Sequence, residues 1–144
     1  MGTISKNFSF SEFEASDTAK ARHIDNTIKD WTIRDNIVAL VENILQPLRD
    51  AWGGPLYLGP KHSGYRCPEL NEAVGGVKTS QHMTGQAADC GCTDPLALAR
   101  LAVKLGLPFD QMILYPSFVH FSYRKDGENR GAILYSAKYK GPKL

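Results

Sequence analysis

The sequence predicts an α+β fold: a single domain, residues 1–144, with a small, mostly antiparallel sheet and helices flanking it. Three observations carry this. Helical periodicity dominates the first half of the chain, and runs of β type fill its last third. The late strand candidates are joined by connections too short for repeated strand–helix–strand units. A chain of 144 residues that is 42% hydrophobic and 22% charged has the length and composition of one globular core, not of a disordered polymer. No internal repeat, low-complexity tract or long polar linker divides it.

Each element has its own warrant. Ser9 followed by Glu12 is a capping-box spacing and predicts a short helix that turns Phe10 and Phe13 inward. From Ile33 to Trp52, the residues Ile33, Ile37, Leu40, Val41, Ile44, Leu45 and Leu48 form a core-facing helical stripe. Asp30 or Thr32 caps its start and Gly53-Gly54 stops it. Pro47 interrupts the stripe without an N–H to donate, so a kink or break is expected near Asn43–Gln46. Leu56-Tyr57-Leu58 reads as a short strand ended by Gly59-Pro60. Pro68 opens a helix to Val74, stopped at Gly75-Gly76, and a polar loop runs through Val77–Gln86. Ala87–Gly91 reads as a buried strand. Thr93 as cap, with Asp94 and Pro95 in the first turn, starts a helix to Leu105 that Gly106 terminates. Gln111–Tyr115 and Phe118–Tyr123 are two strands joined at Pro116-Ser117, and Ala132–Ser136 is the last.

Charge excludes some functions. Seventeen Lys and Arg against fifteen Asp and Glu leave a net +2, too slight a bias for a nucleic-acid face, which needs clustered positive charge. No apolar run reaches the roughly 18 residues of a membrane span, so no integral membrane segment is expected. Three cysteines, Cys67, Cys90 and Cys92, cannot all pair within one chain, and Cys90 and Cys92 are too close to staple a fold. They read as buried thiols of a reducing compartment. The sequence assigns no oligomeric state.

Chemistry concentrates on two histidines. His82 lies in a loop, Asp89 follows on the predicted strand, and His120 shares one strand face with Phe118 and Ser122. Two imidazoles and a carboxylate suit a zinc ion that keeps a fourth position open, although such spacing also arises among ordinary polar residues. His62 and His23 fall in polar segments and read as surface or structural side chains.

The surrounding run, SGYRCPELNEAVGGVKTSQHMTGQAADC from Ser63 to Cys90, resembles the zinc D-Ala-D-Ala carboxypeptidase family of cell-wall metallopeptidases. Vancomycin-resistance dipeptidases and phage endolysin peptidases are among its members. The resemblance rests on Ser63-Gly64-Tyr65-Arg66, Asn71, Gly75-Gly76, the block from Ser80 through His82, Gly85 and Ala87 to Asp89, and Val119-His120-x-Ser122. The opening ISKNFSFSEFEAS and Leu45-Gln46-Pro47-Leu48-Arg49 add to it and point to the branch common in bacteria and their phages. It implies a fold like those of the hedgehog and DD-peptidase domains, with zinc held by His82, Asp89 and His120. Arg66 matches the arginine that stabilises charge on the attacked carbonyl, a task suited to a permanently charged, multiply donating guanidinium. Ser80 matches a substrate contact of some relatives. The implied partners are peptidoglycan stem peptides, and the implied reaction is zinc-assisted hydrolysis of D-Ala-containing bonds, of carboxypeptidase or endopeptidase type.

One departure stands out. The family places an acidic base shortly before the second histidine ligand, where this chain has Ser117 and no carboxylate from 114 to 119. Asp110, Glu69, Glu72 and His62 are the substitutes the sequence offers. The departure keeps a second reading open, a weak or inactive wall-binding module that retains fold and metal. A third has Cys90 or Cys92 closing a structural zinc site. The N-terminus shows no basic and apolar leader. That leads to the expectation of cytoplasmic synthesis with action at the wall after phage-type release, or of a leader already removed.

Overall fold

Ser9 starts the first helix as its spacing predicts. In the computed structural model, which describes residues 2–144, the Glu12 N–H donates to the Ser9 hydroxyl, and the Glu12 carboxylate accepts from the Ser9 N–H at 3.0 Å. This reciprocal cap holds α1 (Phe10–Glu14) and sinks Phe10 and Phe13 into the core. Ahead of it, β1 (Thr3–Ser5) and β2 (Phe8–Ser9) form a small antiparallel hairpin that the sequence reading had not separated from the helix start. A second short helix, α2 (Asp17–Ala21), follows with Ser16 as its cap.

The long helical stripe forms α3 (Trp31–Leu40) and α4 (Gln46–Trp52), with Asp30 rather than Thr32 as its N-cap and Gly53 at φ 73° as its stop. Ile37, Leu40, Val41, Ile44, Leu45 and Leu48 are all fully buried. The chain does not break before Pro47. Instead Val41–Leu45 widens into a single π-turn, in which the Gln46 N–H donates to the Val41 carbonyl five residues back. Such a bulge lets a helix pass a residue that cannot donate without losing its axis.

The main sheet has the order β3-β5-β4-β6, built from β3 (Ala87–Gly91), β4 (Gln111–Leu114), β5 (Phe118–Ser122) and β6 (Ala132–Tyr135). β3 and β4 pair antiparallel with β5, and β6 joins the edge parallel to β4. Alternation gives the sheet two different faces. Ala88, Cys90, Met112, Leu114, Val119 and Phe121 turn into the core, against the long helix and against α6 (Pro95–Lys104), whose Leu98, Ala99 and Ala102 are buried. The opposite face carries Asp89 and His120, directly paired across β3 and β5.

Three expectations change. Leu56-Tyr57-Leu58 is not a strand of the sheet: only Tyr57 makes an isolated bridge to Gly91, because β3 ends there and the Asp89 N–H on the same outer edge is already taken by the Ser63 carbonyl. Asp94, not Thr93, caps α6, accepting from the Ala97 N–H at 3.1 Å. The loop Val77–Gln86 contains a 3-10 turn at Gln81–Thr84 between Ser80 and Gly85. The helix after Cys67 is α5 (Pro68–Ala73).

Asp110, at the head of β4, is fully buried and anchors the segment that leads into β6. Its Oδ1 accepts from Arg130 Nε at 2.9 Å and from the Arg130 backbone N–H at 3.0 Å, while Oδ2 accepts from Nη2 at 2.8 Å. Those hydrogen bonds outweigh burial and hold the carboxyl at about 2, below the ordinary 3.8. A carboxyl depressed in the folded state contributes stability above its unfolded pKa that is lost as pH falls through the folded value. With half of Arg130 in solvent, this amounts to about 1–2 kcal/mol. Asp110→Asn is expected to lower unfolding stability by at least that much at pH 7 and to flatten its decline between pH 4 and pH 2. Denaturant melts of both proteins across that range check this, and superimposable profiles would remove the pair from the stability of the fold.

Candidate metal centre

The centre is assembled around a stretch of backbone, residues 63–66. The Ser63 carbonyl accepts from the Asp89 N–H at 2.7 Å, and the Tyr65 N–H donates to the Phe13 carbonyl at 2.8 Å. The Gly64 carbonyl accepts from His82 Nδ1 at 2.7 Å, and the Arg66 N–H donates to the His82 carbonyl at 3.2 Å. Gly64 is required here by close approach, since a Cβ would lie 2.7 Å from Phe13 Cα and 3.0 Å from its carbonyl oxygen.

His82 sits in the 3-10 turn that Ser80 caps, its ring almost wholly buried. Gly85 closes the turn at φ 74°, where a Cβ would meet the Ile33 carbonyl at 2.6 Å. Because the carbonyl of Gly64 can only accept, Nδ1 carries the proton and Nε2 presents a lone pair. That lone pair faces Asp89 Oδ1 at 3.4 Å, and His120 Nδ1 lies 2.9 Å from the same oxygen. The two rings meet edge to face with centroids 5.1 Å apart. One ligand atom from each residue falls within 4.8 Å of the others, the one such group among the described residues. Burial opposes ionisation of Asp89, but the two imidazoles outweigh it and keep the carboxyl below the usual carboxylate range.

This donor set fits a zinc ion. Two imidazoles and a carboxylate converge from a rigid strand pair and a capped turn, and one imidazole has its tautomer fixed by a backbone carbonyl, the usual outer support of a metal-bound histidine. The cysteines take no part. Cys90 faces the core with its thiol pushed well up by burial, and Cys92 packs against the same core. Alternation along β3 sends Cys90 to the face opposite Asp89, so the closed site with a cysteine ligand is overturned.

The three residues stand in a cleft of about 650 Å³ that Arg66 also lines. Burial lowers the Arg66 pKa, opposed by Asp89 and Tyr115, yet a guanidinium stays charged there. Its Nη2 donates to Ser80 Oγ at a long 3.5 Å, and its buried Nε has no hydrogen-bond partner. Ser80, expected as a substrate contact, lines the cleft, and its hydroxyl also accepts the His82 N–H at 3.2 Å.

None of the substitute bases reaches this cleft. Asp110 is buried in its pair with Arg130, and Glu69 and Glu72 line a separate groove beside Arg22. The His62 ring packs against Phe118, with centroids 5.6 Å apart, and fills the space that a side chain at Gly91 would occupy. Ser117 lies outside the cleft, beside Phe118. Among the described residues, Asp89 is the only carboxylate lining it. Two groups that sequence reasoning did not single out do line it, Tyr115 and Arg130. Tyr115 stacks on Phe118 with centroids 4.3 Å apart, and burial, with Asp89, raises its pKa so that it remains a neutral phenol. Strand alternation from Ile113 signals Tyr115; nothing local signals Arg130.

The family model described as Peptidase M15 matches residues 6–122, a span that contains all three converging residues and Arg66. The chain matches no curated protein.

Single substitutions His82→Ala, Asp89→Ala and His120→Ala are expected to weaken zinc binding at least 100-fold by competition calorimetry, as losing one of three ligands should. Gly64→Ala should weaken it as well, by roughly 10- to 100-fold, because the collision with Phe13 displaces the strip that holds His82 Nδ1 and the Asp89 N–H. Wild-type affinity in all three ligand variants would refute the centre.

Proposed function

The chain belongs to the Peptidase M15 family, and from that membership we propose that it is a zinc-dependent peptidase acting on D-Ala-containing bonds of bacterial peptidoglycan stem peptides. The observation that carries the reading is the convergence of His82, Asp89 and His120 in a cleft shared with a desolvated arginine. The chemistry such an ion supplies is Lewis acidity, which polarises a carbonyl and makes water acidic enough to attack near neutral pH.

The chain's own residues do the rest. Arg66 donates to the oxygen of the attacked carbonyl as charge develops on it. Its Nε lacks a partner and its contact to Ser80 is long, so these donors are not committed elsewhere before substrate arrives. Ser80 caps the turn bearing His82 and lies beside that guanidinium in the cleft, where its hydroxyl is available to substrate. Tyr115, a neutral phenol in the same cleft, offers a further hydrogen to the oxyanion or to the departing amine. Cleavage is of carboxypeptidase or endopeptidase type.

One observation favours a second reading, a wall-binding module that keeps fold and metal but turns over slowly or not at all. No carboxylate besides Asp89 lines the cleft among the described residues, so the usual acceptor for the proton of attacking water is missing.

Mass spectrometry of purified stem peptides incubated with zinc-loaded protein, beside a chelated sample, separates the two. Chelator-sensitive cleavage is expected, with Arg66→Ala reducing kcat roughly 100- to 1,000-fold. Intact stems from protein verified to hold zinc would sink the peptidase and leave the binding module.

A further inference from the structure

Among the described residues, three buried side-chain atoms have no hydrogen-bond partner, and two of them belong to residues that meet at the wall of the cleft. They are Arg66 Nε, a donor, and Asn71 Oδ1, an acceptor. The meeting point is Gly76, which lines the cleft together with Arg66. A Cβ there would lie 2.2 Å from Asn71 Oδ1 and 2.9 Å from Arg66 Nη1, so no side chain separates the carboxamide from the guanidinium. Asn71 is 3% exposed and tied down elsewhere. Its N–H donates to the Cys67 carbonyl and its own carbonyl accepts the Gly76 N–H, each at 2.9 Å. Its Nδ2 donates to the Val77 carbonyl at 2.9 Å. Because that carbonyl can only accept, the amide nitrogen is committed to it and the oxygen is left toward Gly76 and Arg66. Arg66 is held far more loosely, by the 3.5 Å contact of Nη2 with Ser80.

We propose that Asn71 is a positioning residue for the Arg66 guanidinium, with Gly76 as the opening through which its carboxamide oxygen takes Nη1. The proposal rests on the peptidase reading and adds to it the group that aims its arginine. Buried polar atoms are nearly always paired, and a turn of the guanidinium toward Gly76 pairs this acceptor in a charge-assisted hydrogen bond. The bond fixes the plane of the fork from the Nη1 side. Nε and Nη2 stay free for the carbonyl oxygen on which charge develops. The residue type suits the task. A carboxamide oxygen aligns a guanidinium without cancelling its charge, whereas a carboxylate in the same place would neutralise it.

The alternative role, a strap that only ties α5 to the Val77 carbonyl, uses Nδ2 and is indifferent to Arg66. Two measurements separate them. In metal-free protein, nitrogen NMR reads the Arg66 side chain directly, its signals identified by their loss in Arg66→Lys. Rotation that exchanges its two Nη groups is expected to be about tenfold faster in Asn71→Ala, as loss of one charge-assisted hydrogen bond should allow. In zinc-loaded protein, Asn71→Ala should lower kcat on a stem peptide roughly 10- to 100-fold, with KM and zinc affinity within about twofold of wild type. In an Arg66→Ala background the same substitution should change kcat by less than about twofold, because residues that act as one unit are not additive. Gly76→Ala, which adds only a methyl group where the two side chains meet, should repeat both effects even if Asn71→Ala does not fold. Equal loss of kcat from Asn71→Ala in both backgrounds, or unchanged rotation of the Arg66 guanidinium in both variants, overturns the proposal and leaves cleavage by wild type standing. If wild type cleaves no stem peptide, the peptidase reading falls by itself, and the rotation alone decides whether Asn71 holds Arg66.

Discussion

Residues 63–66 are the constraint on which the rest depends. Within four consecutive residues the backbone is hydrogen-bonded to α1 through Phe13, to β3 through Asp89 and to the turn of His82 twice. None of these bonds uses a side chain of the segment, so they demand position rather than identity, except at Gly64, where there is no volume for a Cβ. The consequence is mechanical. The turn and the sheet, which carry the converging residues, have separate origins in the sequence, and this strip of peptide fixes the distance between them. Buried N–H and C=O groups left without partners would each cost about 1–3 kcal/mol, so the strip cannot shift without several penalties at once.

The division of the sheet into two faces does the complementary work. On one side, apolar residues of β3, β4 and β5 lock against the long helix and α6, which gives the strands a rigid backing. On the other, Asp89 and His120 face each other at one register position, so their separation is set by strand pairing and not by flexible side chains. A carboxylate that burial alone would neutralise is kept ionised by the imidazoles around it. Two imidazoles and a carboxylate held this close on rigid backbone make a donor set that suits a cation.

Much of this was legible in the sequence wherever one local rule decided. The capping box at Ser9 and Glu12, the apolar stripe from Ile33 to Leu48, and the strand holding Asp89 all follow from spacing alone. His82, Asp89, His120 and Arg66 were reached through their motif context, because spacing could not separate ligands from ordinary polar residues. What escaped was decided at longer range. Pro47 spoke for a break, yet packing on both sides of it was continuous enough to favour a widened turn. Leu56-Tyr57-Leu58 had strand composition but reached the sheet where only a single bridge was open to it. Asp110 stood as a candidate base, whereas its role is set by Arg130, twenty residues further on. Its partner, in a segment without periodic pattern, gave no signal at all.

The π-turn at Val41–Leu45 has a consequence for how this chain can vary in length. A helix advances about 100° per residue, so one residue more or fewer turns everything beyond it by that angle. The widened turn holds such an extra residue, and the apolar faces of α3 and α4 are aligned only while it stays there. Removing one residue from this stretch would rotate Ile37 and Leu40 away from the side that Leu48 occupies. Any lineage of such proteins could exchange side chains freely along this helix under volume constraints, yet gain or lose a residue in it only by rebuilding the core. Length, more than composition, is what the packing of this segment fixes.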